Sequence, residues 1–146
     1  MLKSLKVITL SAVVAFAGAA HADESKKLVT VLTAPEAQTQ LMAMVLTLNS
    51  VKAGANAHIL LCGPAADIAL KDAPASATAP QPPKKASPQG LMKMLMEKTG
   101  TTVEVCAIYL PGKGADASIL IDGVTAAKPG EMGQRLMQPN TQILSF

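Results

Sequence analysis

Ser87-Pro88-Gln89-Gly90-Leu91-Met92-Lys93-Met94-Leu95-Met96-Glu97-Lys98-Thr99-Gly100 runs directly into Thr101-Thr102-Val103-Glu104-Val105-Cys106-Ala107. The reading of these two segments decides the fold. Ser87 is an N-cap residue, and Pro88 suits a first helical turn, where its missing N–H costs nothing. Leu91, Met92, Met94, Leu95 and Met96 form a broad apolar helix face, and Gly100 closes the helix. The β-branched run after it is a strand. A helix that delivers the chain straight into an apolar strand is one half of a parallel crossover.

The same alternation continues outward. Upstream, Lys27 to Thr33 is a short apolar run suited to a buried parallel strand. Pro35 and Glu36 open a helix striped by Leu41, Met44, Val45, Leu48 and Val51, and Gly54 ends it. His58 to Cys62 is the second strand, stopped by Gly63-Pro64, with a short helix over 65–71. Five prolines mark residues 72–90 as an irregular excursion that buries little and is dispensable for folding. Downstream, Pro111-Gly112-Lys113-Gly114 is a tight loop, and a short helix covers 115–121. Gly123 to Ala127 is a weak strand, Pro129 opens a helix that Pro139 stops, and Thr141 to Phe146 is the last strand. Alternating elements of this kind predict an α/β fold: a three-layer α/β/α sandwich around a five-stranded, mostly parallel sheet.

The chain of 146 residues is long enough for one domain. It is 49% hydrophobic and 16% charged, which excludes a largely disordered protein. With no Trp, one Tyr and two Phe it has no stacking platform for single-stranded nucleic acid. Residues 1–22 have the order of a secretory signal peptide: Lys3 and Lys6, an apolar run from Val7, and Ala20-His21-Ala22 before Asp23. That run, about 14 residues, is shorter than a membrane span. The expectation is cleavage after Ala22, a periplasmic protein of one domain over 23–146, and no membrane or nucleic-acid partner. Without Lys3 and Lys6 the formal charge falls from +3 to near +1.

Parallel sheets place sites beyond the carboxyl ends of their strands, where both Cys62 and Cys106 fall. The segment after Cys106 brings Gly112, Lys113 and Gly114, which favour a thiolate. Cys106 is therefore the candidate reactive residue, with Cys62, Lys113, Gly112 and Gly114 as accessories. Alternative chemistries fall away. Gly112-Lys113-Gly114 lacks the spacing of a phosphate loop, and there is no GxGxxG, no CxxC and no serine elbow. His58 lies inside a strand and reads as a packed residue. One mature histidine and two cysteines make no convincing zinc site, so no metal or cofactor is expected. Met92, Met94 and Met96 read as core rather than as a soft-metal site. Distance permits a Cys62–Cys106 bond if the two are in register. The common direction of neighbouring side chains, and the turn at Gly63-Pro64, argue for two free thiols instead, with Cys106 the more reactive.

The helix from Leu91, Val103-Glu104-Val105-Cys106, Gly114 eight residues on, Ile121-Asp122-Gly123-Val124 and the closing Ile143-Leu144-Ser145-Phe146 resemble the DsrE/DsrF-like family. The resemblance covers the mature chain. It implies a five-stranded parallel sandwich, a homo-oligomer, and persulfide sulfur carried on Cys106 in exchange with a donor or acceptor protein. A second cysteine found three residues on in exported relatives is Tyr109 here. Two readings follow: a periplasmic protein whose Cys106 handles sulfur or redox chemistry, or a non-catalytic small-ligand-binding or assembly module of the same fold.

Overall fold

The computed structural model describes residues 26–146; the expected leader and its cleavage junction lie outside the described residues. The strands are β1 (Lys27–Leu32), β2 (Asn56–Leu61), β3 (Thr102–Val105), β4 (Thr125–Ala126) and β5 (Thr141–Ser145). The helices are α1 (Ala37–Lys52), α2 (Ala75–Thr78), α3 (Pro88–Thr99), α4 (Tyr109–Lys113) and α5 (Pro129–Leu136), with 3-10 segments at Gly63–Ala69 and Ala117–Ile119. All pairings are parallel, in the order β4-β3-β2-β1-β5. The expected sandwich is what the chain forms.

Strand order explains the layers. The first three crossovers step the same way across the sheet, and right-handed crossovers then put their helices on one face. The return from β4 to β5 runs the other way and lays α5 over the opposite face. Side chains alternate accordingly. Leu32, Ile59, Leu61, Val103 and Val105 enter the large core with Met44 of α1 and Met92 and Leu95 of α3. Thr30 turns to the same side, its hydroxyl 2.7 Å from that of Thr47 on α1. The opposite face holds a smaller core of Val29, Leu60, Ala127 and Met132 of α5, with Cys62 and Cys106 half-buried beside it.

Local signals set the ends of α3. Ser87 Oγ accepts the Gly90 N–H at 3.1 Å, and Gly100 takes a left-handed φ of 68° that a side chain would resist. Three expectations need correction. Residues 72–90 are not a bare loop: α2 lies within them, and Ala77 is buried in the large core. Small alanines pack where bulk was looked for. The expected helix over 115–121 shrinks to Ala117–Ile119, and the expected loop at Pro111–Gly114 is instead the end of α4. Proline tolerates a first helical turn, and Gly114 caps α4 at φ 62°. Among the described residues no helix is long and apolar enough to cross a membrane.

Candidate functional site

The last ladder pair of β2 and β3 is Leu61 with Val105. One residue further, Cys62 and Cys106 stand side by side at the carboxyl end of the sheet. The Cys106 N–H donates to Leu61 O at 2.8 Å and the Cys62 N–H to Leu32 O at 2.9 Å, so both backbones are fixed. Their Cα atoms are 5.0 Å apart, and the two sulfurs form a disulfide. This corrects the expectation of free thiols. The register condition is met, and 5.0 Å lies inside the disulfide range. Both residues lie one position past the last ladder pair, Leu61 with Val105.

The disulfide forms part of the wall of an open cleft of about 470 Å3. Gly63, Pro64 and Asp67 of the Gly63–Ala69 segment line one side; Ile108, Tyr109, Gly112 and Lys113 line the other. Asp67 organises the polar part. Its Oδ1 accepts the Tyr109 hydroxyl at 2.6 Å and lies 3.0 Å from Lys113 Nζ. Lys113 Nζ also sits 5.4 Å from the centre of the Tyr109 ring, a cation–π distance. Burial pushes the Tyr109 phenol well above its ordinary range, and the hydrogen bond and charge of Asp67 push it further the same way. The phenol therefore keeps its proton at neutral pH and acts as a donor. Ile108, 81% exposed, is an apolar side chain left at the cleft rim two residues after Cys106.

The structure thus brings Cys106, Cys62, Gly112 and Lys113 into one cleft. Gly114 is not among its lining residues; it caps α4. Lys113 is not a bare cation beside a thiol, because Asp67 balances it. Sequence reading missed Asp67 and Tyr109 as members. Neither carries a sequence signal: the two meet only through the fold, by the Tyr109–Asp67 hydrogen bond.

A second polar pair lies on the same sheet face, under α5. His58, 3% exposed, places Nε2 2.8 Å from Glu104 Oε2. The approach is an ion-pair distance, but neither imidazole nitrogen makes a well-directed hydrogen bond among the described residues. Burial holds the imidazole below its ordinary pKa; Arg135 adds to this and Glu104 opposes it. Among the described residues, no cluster of three or more His, Cys, Asp or Glu is placed to hold a metal ion.

No family model matches the sequence, and no curated protein matches it. Solved structures do. YchN from E. coli superposes with a TM-score of 0.62 over 84% of this chain and 99% of its own, at 18% identity. The fold is DsrE/YchN-like. A protein of unknown function from Methanobacterium thermoautotrophicum gives a TM-score of 0.61 over 83% of this chain and 99% of that one, at 11% identity. Identities this low carry the YchN-like architecture and not the chemistry, which has to be argued from the cleft.

Proposed function

We propose that this chain is an exported thiol–disulfide protein whose Cys62–Cys106 pair cycles between disulfide and dithiol. The observation that carries the reading is the disulfide itself. It lies in a cleft at the carboxyl end of a parallel sheet, where such folds hold their sites. In the oxidised form, a substrate thiolate attacks Cys106 Sγ. The Cys62–Cys106 bond breaks, Cys62 leaves as thiolate, and a mixed disulfide forms on Cys106. A second substrate thiolate, or Cys62 in reverse, resolves it. Two electrons pass from two thiols to the bridge.

A sulfur-carrying role uses the reduced form. Cys106 thiolate takes the terminal sulfur of a donor persulfide and the donor leaves as thiolate. Cys62 then attacks Cys106 Sγ, restores the bridge and expels hydrosulfide. The resemblance to DsrE-like proteins favours Cys106 as the carrier. The same resemblance, with exposed Met137 and Ile143 on the α5 side, favours a homo-oligomer.

Intact-mass analysis of protein from the periplasm, after alkylation with and without reductant, tests the reading. The expected result is a mature chain from Asp23 with no free thiol before reduction and two after it. Reduction and air reoxidation should be reversible without loss of the fold, and Cys106→Ser should abolish both the cycle and sulfur uptake. A bridge that opens only once the protein is unfolded would make the pair a structural staple and favour a binding module.

A further inference from the structure

Ile108 stands where two rules of residue placement disfavour it. It is the N-cap residue of α4 and makes no side-chain cap hydrogen bond. Serine, threonine, aspartate and asparagine suit that position because a side-chain oxygen accepts a helix N–H; an aliphatic side chain accepts nothing. Ile108 is also 81% exposed, so it adds little to the core. Met42, Leu46, Met137 and Ile143 are the other exposed large hydrophobics among the described residues. Of these five, Ile108 alone lines the disulfide cleft. Its side chain serves neither helix nor core and is free to meet a molecule in that cleft.

The rest of the wall has the same character. Gly63, Pro64 and Gly112 bring no charged or hydroxyl side chain to it. Its two charges, Asp67 and Lys113, lie 3.0 Å apart and offset one another. Asp67 also holds the Tyr109 hydroxyl. The cleft therefore has no spare charge for an ionic ligand group. Its volume of about 470 Å3 exceeds what a single thiol fills, so a reacting cysteine enters together with its neighbours.

Chain geometry sets which neighbour meets Ile108. Ile108 follows Cys106 by two residues, so their Cα atoms are about 7 Å apart at most. In a bound peptide the residue beside the cysteine has its Cα about 3.8 Å from the cysteine's own. A cysteine reacting at Cys106 thus carries the adjacent side chain within reach of Ile108. We infer that the substrate of this cleft is a polypeptide cysteine with an aliphatic residue beside it, and that Ile108 is the residue that selects it. The inference rests on the thiol–disulfide reading. The substrate thiolate attacks Cys106 Sγ, the bond to Cys62 breaks, and Cys62 leaves as thiolate. A second substrate thiolate then displaces Cys106, and the two substrate thiols leave as a disulfide. Contact between the two aliphatic side chains removes apolar surface from water in the first step. A small hydrophilic thiol gains nothing from it.

The test compares acetyl-Leu-Cys-Leu amide with acetyl-Ser-Cys-Ser amide, which carry the same reacting thiol and no charged side chain. Rate constants for opening the bridge of the oxidised protein are measured at one pH, with dithiothreitol as a reference reductant. The leucine peptide should react about tenfold faster, which corresponds to burying about half of one leucine side chain. Ile108→Ser should bring the ratio of the two peptides close to one. Serine suits an N-cap, so this variant should unfold at the wild-type urea midpoint or above it. A lower midpoint would make Ile108 a packing residue and overturn its assignment. Equal rates for the two peptides, or a ratio that survives Ile108→Ser, also overturn the inference, and they leave the redox reading standing. If neither peptide nor dithiothreitol opens the bridge in folded protein, the redox reading itself fails and the inference falls with it.

Discussion

Lys113 and Asp67 set the electrostatics that an incoming thiolate meets. Lys113 is the one cation among the described residues lining the disulfide cleft, and Asp67 holds it at 3.0 Å. Both side chains are more than 30% exposed, so solvent screens the pair and its contribution to stability is small. Its effect on anion approach has a sign, however. Asp67→Asn removes the negative partner and should speed attack by a small thiolate about fivefold at low salt. Lys113→Gln leaves Asp67 uncompensated and should slow it about as much. Stopped-flow reduction of the two variants reads this directly; shifts in the same direction would show that charge is not what governs approach. Cys106 and Lys113 were legible from their place after an apolar strand. Asp67 was not: an aspartate in a short segment carries no signal until Tyr109 is folded against it. The pairing of the cysteines was illegible for another reason. It turns on a register of one residue beyond the ladder, which the sequence of neither strand contains.

Gln89 shows how one element positions another. It is nearly buried at the start of α3, and its Nε2 donates to Ile68 O and Leu70 O, both at 2.8 Å. These carbonyls end the 3-10 segment that carries Asp67 at the wall of the disulfide cleft. Gln89→Ala leaves them without that donor and should cost about 1–3 kcal/mol in urea unfolding. It should also alter the rate of bridge opening, because Asp67 loses its support. Unchanged stability would mean that water replaces the amide. Helix α3 itself was readable to the residue, since a serine cap, a first-turn proline and a left-handed glycine all agree with its apolar face. Helix α4 was hidden because Pro111, Gly112 and Gly114 are loop residues by habit, although Pro111 sits in the first turn and Gly114 beyond the last. Residues 72–90 misled for a related reason: Ala77 fills the core by being small, and hydrophobic patterning does not register small residues.

At the scale of the whole molecule the two faces of the sheet are unequal. One is covered by α1 and α3; the other, among the described elements, by the eight residues of α5. His58 lies under that thinner layer. Its surroundings are Glu104 on β3 and Arg135 on α5, and burial is the largest influence on its proton. In the unfolded chain the imidazole titrates near 6.5; in the folded chain it titrates lower. As the pH falls below 6.5 the unfolded state takes up the proton first. The stability contributed by neutral His58 is therefore complete above that pH and is lost as the pH falls through the folded value. The slope within the window should approach about 1.4 kcal/mol per pH unit. Urea unfolding at a series of pH values measures it, and His58→Gln should flatten it. A wild-type profile that is flat from pH 7 to 5 would rule the account out. The parallel sheet was legible because strands and helices alternate from end to end. The strand order was not, since nothing in β5 announces that it pairs with β1.

The bridge closes a loop with a sequence separation of 44. In the chain-entropy account such a closure stabilises the native state by about 4 kcal/mol. A chain whose bridge has been opened would spend roughly a thousand times longer in unfolded, cleavable forms. Degradation by proteases follows that population when reclosing is fast. The oxidation state of the bridge would then also set the lifetime of the molecule. Under the proposed cycle, each reduced interval would be the period in which the protein is open to removal.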